Sequence, residues 1–505
     1  DIALEQMAAM KKFHELDIPH SGFYAEGAGA TFYGEYKKEE LYKVVSFGER
    51  HGFKVFSWQF PNMTQELAQE LLPECPKEEL PITRNKNDEE EKLPVYIDFS
   101  HPRAKELLAA QWKDRMDAGI RGSMVDFGDV VPDEAVFYDG RRGDEMHNAY
   151  AYQYAKNYRE LFEQKYGDDH VLYTRGAAPG SQHFACQFGG DQLTSFQGLK
   201  YAIAGGLSAA ASGLPFWGVD AGGYDGFPDQ ETYLRWTEYA AFCPLMRFHG
   251  TEPREPWEYD AFTVKVYRYY TWLRENLHPY IVSVAAEAHK LGIPMMRPLA
   301  MMYPEDQEAT KVWDEYLFGE DLLVAPVSDE TEEREIYFPE GRWISLWNLN
   351  DEISGPVQRS VEVPIDKIPV YIREGSFLPL RLNESLKLGE SMSESETEMI
   401  LAVVPQNDSI VKETLYERSG AKTCCGMEKN GETIQLQISG RTAELYVMLA
   451  GIHWKSTEAI VNGRTLTKVT AREGLYFTEG YLELEEGILV KINPSAESVI
   501  KIQKK

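Results

Sequence analysis

The chain has 505 residues, with 81 Asp and Glu against 52 Lys and Arg and a formal net charge of -29. That charge repels phosphate backbones and anionic lipid, so neither nucleic acid nor a membrane surface is expected as partner and a neutral small molecule fits better. The length exceeds one hydrophobic core, so a large catalytic domain followed by smaller ones is expected.

No apolar run reaches the roughly eighteen residues of a membrane span. Cys75, Cys186, Cys243, Cys424 and Cys425 fall in no C-x-x-C spacing, which predicts neither a disulfide framework nor a zinc site and favours a cytoplasmic chain. Asp1 runs straight into a helical pattern, DIALEQMAAMKKFHEL, which leaves room for a signal peptide or a domain upstream. The acidic surface is compatible with a soluble monomer or a homo-oligomer.

From Ile2 to about Pro298, strand-like runs alternate with amphipathic helical patterns. In order the runs are GFYAE, FKVFSWQF, GSMVDFG, HVLYTR, FACQFGG, LPFWGVD and IPMMRPL. Between them, KKEELYKVVSFGERHG places Leu41, Val44 and Val45 on one face before Gly52, and HPRAKELLAAQWKDRMDAG closes on Gly119. The alternation predicts an α/β fold, a (β/α)8 TIM barrel, whose missing first strand is expected upstream of residue 1. The charged stretch PECPKEELPITRNKNDEEEKLP reads as an exposed loop insertion.

After about Glu305 the pattern changes to short alternating strands between Gly, Pro and Asn turns, as in YLFGEDLLVAPV and KIPVYIREGSFLPL. The expected boundaries are a barrel over 1–304, a proximal β-sandwich over 305–381 and a distal β-domain over 382–505.

Two stretches carry the chemistry: GSMVDFGDVVP, with Asp126, and FGGDQ, with Asp191. Each puts an aspartate among glycines just after a buried strand, where a barrel presents carboxylates to its pocket. Asp126 is equally placed to cap a following helix. Paired carboxylates are what glycoside cleavage requires, one attacking the anomeric carbon and the other protonating the departing oxygen; they stand about 5–5.5 Å apart in retaining enzymes. Both roles are then filled without a metal or cofactor.

Taken together, MVDFGDVVP, DEMHNAYAYQYAKNY, TRGAAPGSQ, FGGDQ, FWGVDAGGYDG, YLRWTEYAAFCPLMRFHG, MMRPLAMMYPED and PVYIREGSFLPL occur in one order that resembles glycoside hydrolase family 31, the family of α-glucosidases and α-xylosidases. The resemblance covers the chain to roughly residue 380. It implies Asp126 as nucleophile and Asp191 as general acid/base of a retaining double displacement, with Arg175 and His249 bonding sugar hydroxyls. Trp58 and Trp217 are further candidates for the walls of the sugar site, or fill the barrel interior. Asp220 matches a family position near the site, or stabilises its glycine-rich turn.

Glu26, in IPHSGFYAEG, stands where family α-glucosidases usually carry an aspartate for a distal hydroxyl. Met124 stands where α-xylosidases typically carry Lys; this resembles the sulfoquinovosidase branch, yet AEGAGATFYGEY lacks the Gln and Arg that hold a sulfonate there. An α-glucosidase or α-xylosidase is therefore expected, with a sulfoquinovosidase or an α-transglycosylase as alternatives on the same site. An inactive carbohydrate-binding homologue is disfavoured, because both carboxylates remain.

Overall fold

The computed structural model describes residues 2–25, 38–84, 95–393, 398–407, 409–441, 443–476 and 478–505. The chain forms two compact units, Asp1–Gly190 and Asp191–Lys505. None of the described helices is long and apolar enough to cross a membrane.

The first unit runs α1 (Ile2–Glu15), β1 (Gly22–Tyr24), α2 (Lys38–Arg50), β2 (Lys54–Gln59), β3 (Asn62–Met63), α3 (Gln65–Leu71), β4 (Val95–Tyr96), α4 (Ala104–Ala118), β5 (Gly122–Val125), α5 (Gly143–Tyr166), β6 (Val171–Thr174) and β7 (Cys186–Phe188). Strands β1, β2, β5, β6 and β7 pair in that order, all parallel. Side chains alternate across the sheet, so Val55 and Val125 face the helices and join Leu41, Val44, Leu107, Trp112 and Phe162 in one core. Phe56 lies on the other face, where a Cβ on Gly22 or on Gly122 would overlap its ring. Glycine at 22 and 122 is thus what lets an aromatic ring fill the sheet interior below the row that carries Trp58, Met124 and Asp126.

Helix α5 supports the loops above this sheet through a buried stripe of Tyr150, Tyr154 and Tyr158 at four-residue spacing. The Tyr154 hydroxyl donates to the Gln59 carbonyl at 3.2 Å, and the Tyr150 hydroxyl to that of Ile97 at 3.0 Å. The charged stretch is exposed as expected at Pro73, Glu74, Pro76, Lys77, Glu78, Glu79 and Arg84, and departs from that reading at its apolar centre. Leu80, Pro81, Ile82 and Thr83 are buried, and Ile82 and Arg84 form bridges to Ile97 and Val136. An apolar LPIT among charges anchors the segment instead.

The second unit begins with α6 (Phe196–Ala211), β8 (Trp217–Gly218), α7 (Gln230–Ala241), α8 (Ala261–Asn276) and α9 (His278–Leu291). Ser195, Asp229 and Asp260 cap α6, α7 and α8, each side chain accepting a backbone N–H three residues on. The chain after β8 runs parallel to residues 245–247: the Leu245 amide donates to the Trp217 carbonyl and the Ala221 amide to that of Arg247, both at 3.0 Å. PLMRFH was not among the expected strands, because a proline and two charged or polar residues break its apolar run.

IPMMRPL was expected as a seventh strand of the parallel sheet. Its central part, β9 (Met296–Pro298), pairs antiparallel with β10 (Tyr316–Phe318) at the edge of a six-stranded sheet. A short apolar run does not disclose its partner, and here Phe318 and Tyr316 supply it. That sheet continues through β11 (Leu322–Val324), β12 (Glu333–Ser345), β13 (Glu352–Glu362) and β14 (Val370–Arg373). Two further sheets follow. One contains β15 (Phe377–Leu382), β16 (Glu398–Val403) and residues 445–450, 480–483 and 487–492; the other spans segments between 410 and 504. They enclose a core of Leu401, Val447, Val490, Leu436 and Ile500.

Candidate active site

Asp126 follows the last residue of β5, and its amide donates to the Gln59 carbonyl at 2.7 Å, extending the parallel ladder by one bond. The residue is buried, its side chain 8% exposed. Its Oδ2 accepts from Trp58 Nε1 at 3.0 Å and its Oδ1 from the Phe127 amide at 2.8 Å. The next helix begins only at Gly143, so Asp126 caps no helix. Phe127 has φ +57°, a left-handed conformation that costs a bulky residue on the order of 1–3 kcal/mol and turns the chain sharply behind the carboxylate.

Arg175, one residue past β6, places Nε 3.7 Å from Asp126 Oδ1 and Nη2 3.2 Å from Asp129 Oδ1. Its guanidinium lies 4.2 Å from the Phe127 ring centroid. A cation so placed both neutralises and orients two carboxylates. Gly190 crosses this side chain with φ +73°, and a Cβ there would stand 2.7 Å from Arg175 Cδ. The residue that follows it in the chain is Asp191, which is exposed.

In the second unit Asp220 is fully buried and ion-paired with Arg247. Its Oδ2 is buried with no hydrogen-bond partner among the described residues. The Asp220 amide donates to Gln192 Oε1 at 3.3 Å and the Tyr224 amide to the Gln192 carbonyl at 2.9 Å, so the glycine-rich turn AGGYDG is tied to the residue after Asp191. The Tyr224 ring stands 5.4 Å from that of His249. Arg254 grips the same turn, its Nη2 donating to the carbonyls of Gly223, Tyr224 and Gly226 at 2.8, 3.1 and 2.7 Å.

The family model for the glycosyl hydrolases family 31 TIM-barrel domain matches residues 4–284, and that for the family 31 C-terminal domain matches 292–378. The chain belongs to glycosyl hydrolase family 31. Its fold is accordingly the family's TIM barrel followed by antiparallel β-sheets. An isomaltosyltransferase of Sporosarcina globispora is 32% identical over 430 residues, covering 80% of this chain and 39% of that protein. An α-xylosidase of Emericella nidulans is 32% identical over 294 residues, 56% of this chain and 38% of the relative. The chain thus spans about two fifths of the length of these relatives. A cycloalternan-forming enzyme from Listeria monocytogenes, solved with a pentasaccharide substrate, superposes with a TM-score of 0.88 at 22% identity, covering 99% of this chain and 53% of its own.

Within this family 31 chain, the residues singled out from sequence divide into groups. Trp58, Asp126 and Arg175 meet in the first unit; Asp220 and His249 lie on adjacent parallel segments of the second, with Asp191 beside Gln192. Glu26 lies outside the described residues. Trp217 points elsewhere: its ring rests on α6, where a Cβ on Gly206 would stand 2.7 Å from Nε1. Strand alternation explains this, since Trp217 and Asp220 leave the chain on opposite sides of the β8 ribbon.

Sequence reasoning passed over Asp129, Arg247, Tyr224 and Arg254. Asp129 and Arg247 had a local signal, being three residues after Asp126 and two before His249 on a strand of period two. Arg254 had none, because its partners are backbone carbonyls.

Burial, then the guanidinium groups of Arg247 and Arg254, push His249 down to about 3. The folded value lies below the unfolded one of about 6.5, so the stability it contributes is complete above that pH and is lost as pH falls from there toward 3. His249→Gln is therefore expected to lose less thermal stability than the parent between about pH 7 and about pH 4. Parallel melting curves for the two proteins across that range would contradict the assignment.

Proposed function

We propose that this chain carries a retaining α-glycosidase site in which Asp126 is the nucleophile and Asp191 the general acid/base. The Asp126 carboxylate attacks the anomeric carbon while Asp191 gives its proton to the departing glycosidic oxygen, leaving a β-linked glycosyl-aspartate. Asp191, now ionised, takes a proton from water, which attacks the same carbon and releases the sugar with its α configuration restored.

The observation that supports this reading most is the seating of Asp126, a buried carboxylate at a strand's C-terminal end with both oxygens oriented by N–H donors. Arg175 and His249 supply donors and acceptors for sugar hydroxyls, Trp58 a wall, and Asp220, fully buried, is retained as a candidate that supports the site from beneath. Glu26 is retained as a candidate for a distal hydroxyl. Trp217 is left out of the pocket because its ring lies on α6.

The substrate is a non-reducing-end α-glucoside or α-xyloside, with α-sulfoquinovosides as the further option. Aryl α-glucoside, α-xyloside, α-galactoside and α-sulfoquinovoside, followed by proton NMR of the first sugar released, distinguish these. An α anomer appearing first from one of the four is the expected result, and a β anomer first, or no cleavage of any, overturns the reading.

A transglycosylase is a second reading, favoured by the isomaltosyltransferase, whose match extends over 80% of the chain. A sugar hydroxyl then replaces water in the second displacement, and products longer than the donor accumulate at high acceptor concentration.

A further inference from the structure

Phe227 is a large apolar residue left 49% exposed in the loop that leaves Asp220. Its ring is the outer end of a column of nearly parallel rings. Phe227 stacks on Tyr259 at 4.9 Å and 22°, Tyr259 on Tyr233 at 4.7 Å and 26°, and Tyr233 lies 6.3 Å and 9° from the buried Tyr267. The column is fixed at each step: the Tyr259 hydroxyl donates to the Pro228 carbonyl at 2.8 Å and the Tyr233 hydroxyl to that of Arg254 at 2.7 Å. Arg254 in turn holds the carbonyls of Gly223, Tyr224 and Gly226. A ring held this rigidly with one face in water loses little side-chain freedom when something flat covers that face.

The loop also says which ligand that is. Asp225 forms a parallel bridge with Leu193, two residues past Asp191, and the Gly226 amide donates to Thr251 Oγ1 at 2.9 Å, two residues past His249. The platform is therefore built into the strand-end loops that carry Asp191 and His249. An acid that protonates a departing glycosidic oxygen stands on the leaving-group side of the scissile bond. A pyranose ring offers an apolar C–H face to an aromatic ring and hydroxyls around its rim, which suits Phe227 flanked by exposed Asp225 and Thr251.

We infer that the outer face of Phe227 binds a sugar unit on the leaving-group side of the bond being cleaved, so that it sets preference for oligosaccharides over simple glycosides. The inference rests on the function proposed above. Its test uses the sugar that the aryl glycoside panel selects, presented as its α-glycosyl fluoride, whose leaving group has no ring, and as its α-linked trisaccharide.

Phe227→Ala is expected to lower kcat/KM on the trisaccharide about tenfold, mostly through KM, and fluoride release by less than about twofold. Phe227→Trp, which keeps a stacking face, is expected to restore the trisaccharide. Equal losses on both substrates make Phe227 a mere loop anchor and overturn the inference, as does an unchanged trisaccharide KM. A parent chain that cleaves the fluoride while either result appears leaves the proposed function standing. A parent that cleaves neither substrate overturns that function and the platform with it.

Discussion

Alanine at position 126 is expected to lower turnover of the substrate by at least about 10⁴-fold while the protein stays folded. The chemical reason is that the first displacement has no other carboxylate in Asp126's position. Asp129 shares Arg175 with Asp126, Nη2 standing 3.2 Å from Asp129 Oδ1. It lies on the loop and not at the strand end. Removing Asp129 instead, as Asp129→Asn, frees Arg175 to turn and is expected to cost about 10–100-fold, a positioning effect. The fold should survive Asp126→Ala, because the Asp126 backbone bond to Gln59 is kept and Trp58 Nε1, half-buried, can turn to water. Near-parent turnover by purified Asp126→Ala, measured on the aryl glycoside the parent cleaves, would sink the assignment.

Replacing Arg247 with methionine is expected to destabilise the protein by about 3–5 kcal/mol, because it strands the Asp220 carboxylate in the interior. The Asp220 side chain is 1% exposed and that of Arg247 10%, so water cannot take over the lost partner. The predicted signature is non-additivity. Asp220→Asn combined with Arg247→Met removes the stranded charge and should recover part of the loss seen in Arg247→Met alone. Denaturant unfolding of the two single variants and the double variant measures this. A loss below about 1 kcal/mol for Arg247→Met, the range of an exposed pair, would mean that the pair does not hold the turn between Asp220 and Gly226.

Much of this architecture was legible in the chain itself. The apolar runs around Phe23, Val55, Val125, Leu172 and Phe188 each read as a strand, and β1, β2, β5, β6 and β7 are those strands. GSMVD read as a buried strand with Asp126 just after it, and the structure places Asp126 directly after β5 and beside Trp58 of the neighbouring strand. What escaped was governed by partners distant in sequence. IPMMRPL has the same apolar character as the parallel strands, yet Tyr316–Phe318 claims it for an antiparallel sheet. Residues 245–247 are a strand by pairing and not by pattern. Trp217, at a strand end, read as a pocket wall or as barrel filling, and its ring instead rests where the small residues Gly205 and Gly206 of α6 leave room for it. Asp220 read as a residue near the site or as a stabiliser of its glycine-rich turn, and its ion-pair partner Arg247, 27 residues on, had no signal in the sequence around Asp220.

The central claim is that Asp126 attacks the sugar. Asp126→Ala leaves a gap on the face the carboxylate occupied, and azide is small enough to enter it. With an activated aryl α-glycoside and added sodium azide, the variant is expected to regain turnover and form a glycosyl azide of β configuration, assigned by proton NMR, because azide then attacks from the side Asp126 has vacated. A glycosyl azide of α configuration from this variant would contradict the account and place the nucleophile elsewhere.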